Sequence, residues 1–121
     1  MLDAYLLVPS PGTAFDVEAI RAHLGSLTHV VPEPRWPGRG FLFCASARAA
    51  REVAADLAAD AESPRGSLGG VMLSPDSIQV YQEAGPGIRG GLQAFVQWVR
   101  AHYPCVMRDR AQREIRGGER P

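Results

Sequence analysis

Lysine is absent. All 13 basic residues of the 121-residue chain are arginine. Two chemistries leave with lysine: a Schiff base on a side-chain amine, and the phosphate-gripping lysine of a P-loop. Beside abundant Ala, Gly and Pro, the arginine bias reads as the imprint of a GC-rich genome, although arginine also favours interfaces. Cysteine is scarce. Cys44 and Cys105 lie far apart, no Cys-x-x-Cys pair occurs, and no His/Cys group has metal-ligand spacing. No metal and no cofactor are expected.

Net charge is absent as well, because 13 acidic residues balance 13 basic ones. Nothing steers the whole molecule toward nucleic acid or an anionic membrane. No run approaches the roughly 18 apolar residues that span a bilayer. The N-terminal MLDAYLLVPSPG carries Asp3 where a signal peptide is basic, and Pro9 ends its apolar run early. These absences predict a cytoplasmic protein with two free, buried thiols and with neither nucleic acid nor membrane as a partner.

Catalytic patterns are also missing. None of Ser10, Ser46, Ser67 and Ser77 sits in Gly-x-Ser-x-Gly. Cys44 with His23, His29 or His102 offers a nucleophile and a base on paper. Yet Cys44 lies inside the apolar run FLFC, where a thiol has a raised pKa and is inert. No catalytic residue is assigned, and an enzyme is the less favoured reading.

What is present describes a domain. A chain of 121 residues that is 45% hydrophobic fits one folding unit. At this length about two-thirds of the unfolded surface is buried, so no staples are needed. The unit is expected over residues 1–109. Residues 110–121 are polar and charged, and read as a flexible tail.

Ala4–Val8 (AYLLV) reads as a buried strand stopped by Pro-Ser-Pro-Gly. Thr13 followed by Asp16 resembles a capping box, and Val17, Ile20, Leu24 and Leu27 recur at helical spacing. His29–Val31 and Phe41–Ala45 are β-type runs around the loop PEPRWPGRG, a hairpin with an irregular tip. Ser46 caps a second helix with the stripe Ala50, Val53, Ala54, Leu57 and Ala61, and Arg48 stands four residues before Glu52 as an ion pair.

Glu62–Gly70 reads as a loop. Val71–Leu73 and Ile78–Tyr81 are strands around Ser74-Pro75-Asp76-Ser77, where proline presets a turn. The loop GPGIRGG leads into a third helix with Leu92, Phe95, Val96, Val99 and Tyr103 on one stripe, and Cys105–Met107 is the last strand.

The order is βαββαβ followed by β-α-β. The first six elements match a ferredoxin-like split βαβ core, extended by the rest. The expected class is α+β, a two-layer sheet with helices mainly on one face and the first two helices sharing it. The prolines near Val31 protect one sheet edge, whereas the hairpin Val71–Tyr81 looks open to edge-to-edge pairing.

Candidate sites follow from composition. Trp36 stands between Arg35 and Arg39 in a loop that cannot be regular structure, which is the make-up of an interface hot spot. The competing reading folds Trp36 back onto the sheet. Trp98 flanks the apolar stripe of the third helix with Phe95 and His102, either as a wide buried face or as a docking shoulder. The partner is then another protein or a second copy. In GPGIRGG, Gly87, Arg89 and Gly90 offer backbone N–H groups and a cation to an anion, against the plainer reading of a loop that starts a helix.

The preferred expectation is a non-enzymatic interaction module, such as an immunity-type or escort protein that neutralises one partner. The alternatives are a sensor or enzyme for an anionic small molecule, and a structural subunit of a larger assembly.

Overall fold

The computed structural model describes residues 3–59, 66–83, 89–109 and 114–115. Its elements run β1 (Asp3–Pro9), α1 (Val17–Gly25), β2 (Val30–Pro32), β3 (Gly40–Cys44), α2 (Ala47–Ala58), β4 (Ser67–Leu73), β5 (Ile78–Gln82), α3 (Gly90–His102), β6 (Cys105–Arg108) and β7 (Glu114–Ile115). The strands form one seven-stranded sheet in the order β2-β3-β4-β5-β1-β6-β7. Every neighbouring pair is antiparallel. The α+β class is as expected.

Local signals account for the helix starts. Asp16 is the N-cap of α1, its carboxylate accepting from Ala19 N–H. Thr13 instead donates its hydroxyl to the Ser10 carbonyl at 2.6 Å, so the turn before α1 delays the helix past the expected start. Ser46 caps α2 through Ala49 N–H at 3.1 Å. The Ser74–Ser77 turn is closed by Ser74 N–H to the Ser77 carbonyl at 3.0 Å.

The long-range arrangement departs from the sequence reading in three ways. The first six elements do not form the expected unit, which requires β1 between β3 and β4. β1 lies between β5 and β6. The hairpin Val71–Tyr81 is no edge either: β4 bonds to β3 and β5, and β5 to β4 and β1. Finally, Glu114 and Ile115 of the expected tail pair with β6. The other tail residues lie outside the described ones, as does Ala61 of the expected α2 stripe.

The helices also sort differently. One core joins Ile20 and Leu24 of α1 with Leu92, Phe95, Val96 and Val99 of α3 over Leu7, Phe41, Phe43, Val71, Leu73, Ile78, Val80 and Met107. A second, smaller cluster joins Ala50 and Val53 of α2 to Val31, Leu42 and Cys44. Successive residues of β3 thus point to different clusters, as the pleat demands. So α1 and α3 share the first face, and of the described helices α2 alone packs on the second. The expected pairing of α1 with α2 is corrected, because α2 belongs to the β2–β3–β4 end of the sheet.

Candidate functional site

The second face is unevenly covered. α2 lies over β2, β3 and β4. Beyond it, the side chains on this face are fixed by register. One row runs Gly70, Tyr81, Ala4. The next runs Met72, Gln79, Leu6, Arg108, Glu114, and Val8 faces Val106 in a third. No described helix packs on these rows, and yet most of their members are apolar. Antiparallel strands with one wet face normally alternate apolar and polar residues. β1 does not alternate: Tyr5 and Leu7 serve the core, and Leu6 and Val8 are apolar on the far side.

The loop between β2 and β3 bends onto this same face. Glu33 N–H donates to the Gly40 carbonyl at 2.9 Å, and the Trp36 carbonyl accepts from Arg39 N–H and Gly40 N–H. Gly40 lacks a side chain because Trp36 Cβ and Glu33 Cβ occupy its place; an added methyl would sit 3.0 Å from the first. Glu33 is only 4% exposed. Its carboxylate is held by both guanidinium arms of Arg35, at 3.1 and 3.3 Å. Such a fork is the geometry that tolerates burial of a charge.

Tyr81 completes the cluster. Its phenol lies across Gly70, where a methyl would meet the hydroxyl at 2.6 Å. Burial pushes the Tyr81 hydroxyl above its ordinary pKa, and the carboxylates of Glu33 and Glu83 push it further, against an opposing pull from Arg35. Among the described residues, the two large apolar side chains that stand exposed are Trp36 (50%) and Leu68 (44%). Trp36 sits on the second face, and Leu68 lies at the irregularity where the β3–β4 register shifts. Trp36, Arg35, Tyr81, Met72 and Leu6 therefore share this face.

The other predicted residues lie elsewhere. Arg39 points with Phe41 to the first side, and its Nε donates to the Leu73 carbonyl at 3.2 Å. Trp98 sits between α1 and α3 in a stack of rings. The His23 ring lies parallel to it, 3.9 Å away and tilted by 3°. The His102 ring lies 4.5 Å away on an interplanar angle of 30°. His102 Nδ1 is 2.8 Å from the Trp98 carbonyl oxygen, so its Nδ1–H form donates there. Burial lowers the His23 pKa, and the neighbouring His102 lowers it further. The two tryptophans thus occupy opposite layers. His23 was not singled out for this place, because the contact needs α1 beside α3.

Of the loop GPGIRGG, Arg89, Gly90 and Gly91 are described. Arg89 is the N-cap residue of α3, and its N–H donates to Oε1 of buried Gln82 at 2.8 Å, which ties the helix start to β5. Gly90 has a left-handed φ of 58°. Gly91 accommodates His29, whose Nε2 would lie 2.7 Å from an added methyl. Gly87 lies outside the described residues.

Catalytic pairing is equally remote. The Cys44 thiol is buried in the α2-side cluster and pushed up by that burial. The ring of His29 packs on Phe43, on the other side of the sheet. Among the described residues no group of His, Cys, Asp or Glu is disposed to hold a metal ion, and no helix is long and apolar enough to cross a membrane.

Comparison with family models, with curated proteins and with solved structures finds no match to this chain.

Proposed function

We propose that the chain is a protein-interaction module that docks a partner on the second face of its sheet. The observation that carries this reading is β1, apolar on both sides while no described helix lies over its second side. Burying those side chains against a partner recovers roughly 25 cal/mol per Å² of apolar surface. Trp36, Tyr81 and Arg35 at the border of the patch have the composition of binding hot spots. Neutralising or escorting one partner, in the manner of immunity-type proteins, is a role suited to such a module.

The architecture supports a further reading. We infer that β1, α1, β4, β5, α3 and β6 are a ferredoxin-like core, with β2, β3 and α2 set in between as an extension. The order β4-β5-β1-β6 and the shared layer of α1 and α3 are what this arrangement requires.

The docking reading is tested with the tagged full chain as bait in a native extract. Wild type is compared with Trp36→Ala, Leu6→Glu and Trp98→Ala, each checked for an intact fold. The bound species, a second copy included, is identified by mass. Loss of capture with the first two variants and retention with the third is the expected pattern. Undiminished capture by both face variants would refute the reading.

A further inference from the structure

We propose that α2 is a detachable cover on the second face: it lifts off and melts as one unit while the rest of the sheet stays folded. The opening lengthens the docking face proposed above, but it does not depend on that reading.

The floor under α2 and the open part of the face belong to one row. Val31 faces Leu42, Leu42 faces Gly70, Gly70 faces Tyr81, and Tyr81 faces Ala4 across successive strands. α2 packs on the Val31–Leu42 end, where Cys44 is also buried. Its removal adds apolar surface to the same face, next to the Gly70–Tyr81 stretch.

The grip of α2 is thin. Its buried residues are Ala50 and Val53, with Ala49 and Leu57 packed in part. Against the first face, α1 sets Ile20 and Leu24, and α3 sets Leu92, Phe95, Val96 and Val99. Hydrophobic hold scales with the apolar area removed from water, and alanine contributes a single methyl. Among the described residues, no hydrogen bond or ion pair joins an α2 side chain to the sheet. The Ser46 hydroxyl accepts from Ala49 N–H at 3.1 Å and Arg48 pairs with Glu52 at 3.7 Å, both within the helix and its cap. α1, by contrast, is tied by Arg21 Nε to the Gly38 carbonyl at 3.1 Å and by the His23–Trp98 stack to α3. Elements held by few apolar contacts open at a free energy below that of global unfolding. Once detached, a helix of 12 residues is marginal in water, so it melts as it leaves.

The floor outlasts the cover. Phe41 and Phe43 hold β3 in the first-face core, and β3 is paired with β4 along its length. The Cys44 N–H donates to the His29 carbonyl at 2.9 Å, a bond that does not involve α2.

Cys44 reports the opening, because its thiol is 4% exposed in the cluster beneath α2. The full chain carrying Cys105→Ser keeps Cys44 as its one thiol. Labelling by a disulfide reagent, without urea and at concentrations where reclosing outpaces reaction, follows the open population. Ala54→Gly weakens α2 at an exposed position and is expected to speed labelling about fivefold. Val53→Ala removes part of the grip and is expected to speed it about tenfold or more. Leu7→Ala raises the global unfolding constant by about a hundredfold or more, yet is expected to change Cys44 labelling less than about twofold, because Leu7 stays packed in the open form. Ile78→Val is a milder change in the same core and carries the comparison if Leu7→Ala does not fold.

Labelling that accelerates with Leu7→Ala or Ile78→Val in step with their loss of stability would overturn the proposal, by showing that Cys44 is freed only when the whole domain unfolds. Indifference of the rate to Ala54→Gly and Val53→Ala would overturn it as well. Neither result touches the docking reading, which is decided by the Trp36 and Leu6 variants.

Discussion

Leu6 and Leu7 are neighbours on β1 and point in opposite directions, so truncating each to alanine reports on one face at a time. Leu7 is 0% exposed. It lies between Ile78 and Met107 in the sheet, under the layer of α1 and α3. Leu→Ala changes in cores cost about 2–5 kcal/mol, more where the site cannot collapse. Here β1 is pinned by β5 and β6, so we expect about 3–4 kcal/mol, a large part of the ~5–15 kcal/mol that holds a domain together. Leu6 is half-buried with no described helix above it, and its truncation is expected to cost below about 1 kcal/mol, because few contacts are lost.

Urea unfolding followed by tryptophan emission measures both. With a slope of about 2 kcal/mol per M, Leu7→Ala moves the midpoint by roughly 1.5–2 M and Leu6→Ala by about 0.5 M or less. The melts are run at low chain concentration, where self-association does not contribute. Equal losses for the two variants at low concentration would show that the chain roofs its own second face, and would remove the basis for docking there.

Three further outcomes follow from the geometry. His23 has a depressed pKa, from burial first and His102 second, below the ordinary 6.5. The folded state then takes up this proton less readily than the unfolded state. The associated stability is whole above pH ~6.5 and is lost as pH falls through the lower folded value. Thermal melts across that window should show a weaker pH dependence for His23→Phe, which keeps a ring on Trp98; an unchanged slope would count against it. Cys44 and Cys105 both have thiols pushed up by burial, with Arg100 pulling Cys105 back. A disulfide reagent should therefore label half-buried Cys105 first, and equal rates would contradict the burial of Cys44. Gly70→Ala places a methyl 2.5 Å from the backbone carbonyl oxygen of Phe41 on β3 and 2.6 Å from the Tyr81 hydroxyl. Moving the ring relieves only the second clash, so the strand backbone must shift as well; a cost of about 1–3 kcal/mol or more is expected, and a calorimetric melt equal to wild type would refute the close packing at Gly70.

The elements were largely legible in the sequence, because caps and periodicity are local. Ser46, the α3 stripe and the Ser74–Ser77 turn each specify their own surroundings. Gly69 and Gly70 misled, since paired glycines read as loop, whereas here they extend β4. An added methyl on Gly69 would collide with the backbone of β5, and Tyr81 fills the space over Gly70. The neighbourhoods were not legible. Whether α1 lies beside α2 or α3 depends on pairing β1 with β5, some seventy residues away. The His23–Trp98–His102 stack depends on that choice. So does the patch, which brings Tyr81 to Glu33 and Arg35 from opposite ends of the sheet's middle.

The two tryptophans looked equivalent as candidates, and their surroundings separate them. Trp98 is flanked by His23 and His102, with Phe95 and Tyr103 at its edges. Its stacking is already met within the chain, and adding a partner there would only exchange one contact for another. Trp36 has its Cβ fixed over Gly40 and is still half exposed. Backbone hydrogen bonds fix the direction in which the Trp36 side chain leaves the chain, so part of the ordering that a partner would impose is already met. The same holds for Arg35, already oriented by Glu33, and for Tyr81, laid across Gly70. Pre-ordered aromatic and arginine groups beside an apolar strand are costly to maintain in water and cheap to bury, which is why the second face, and not the aromatic stack, is where association is expected.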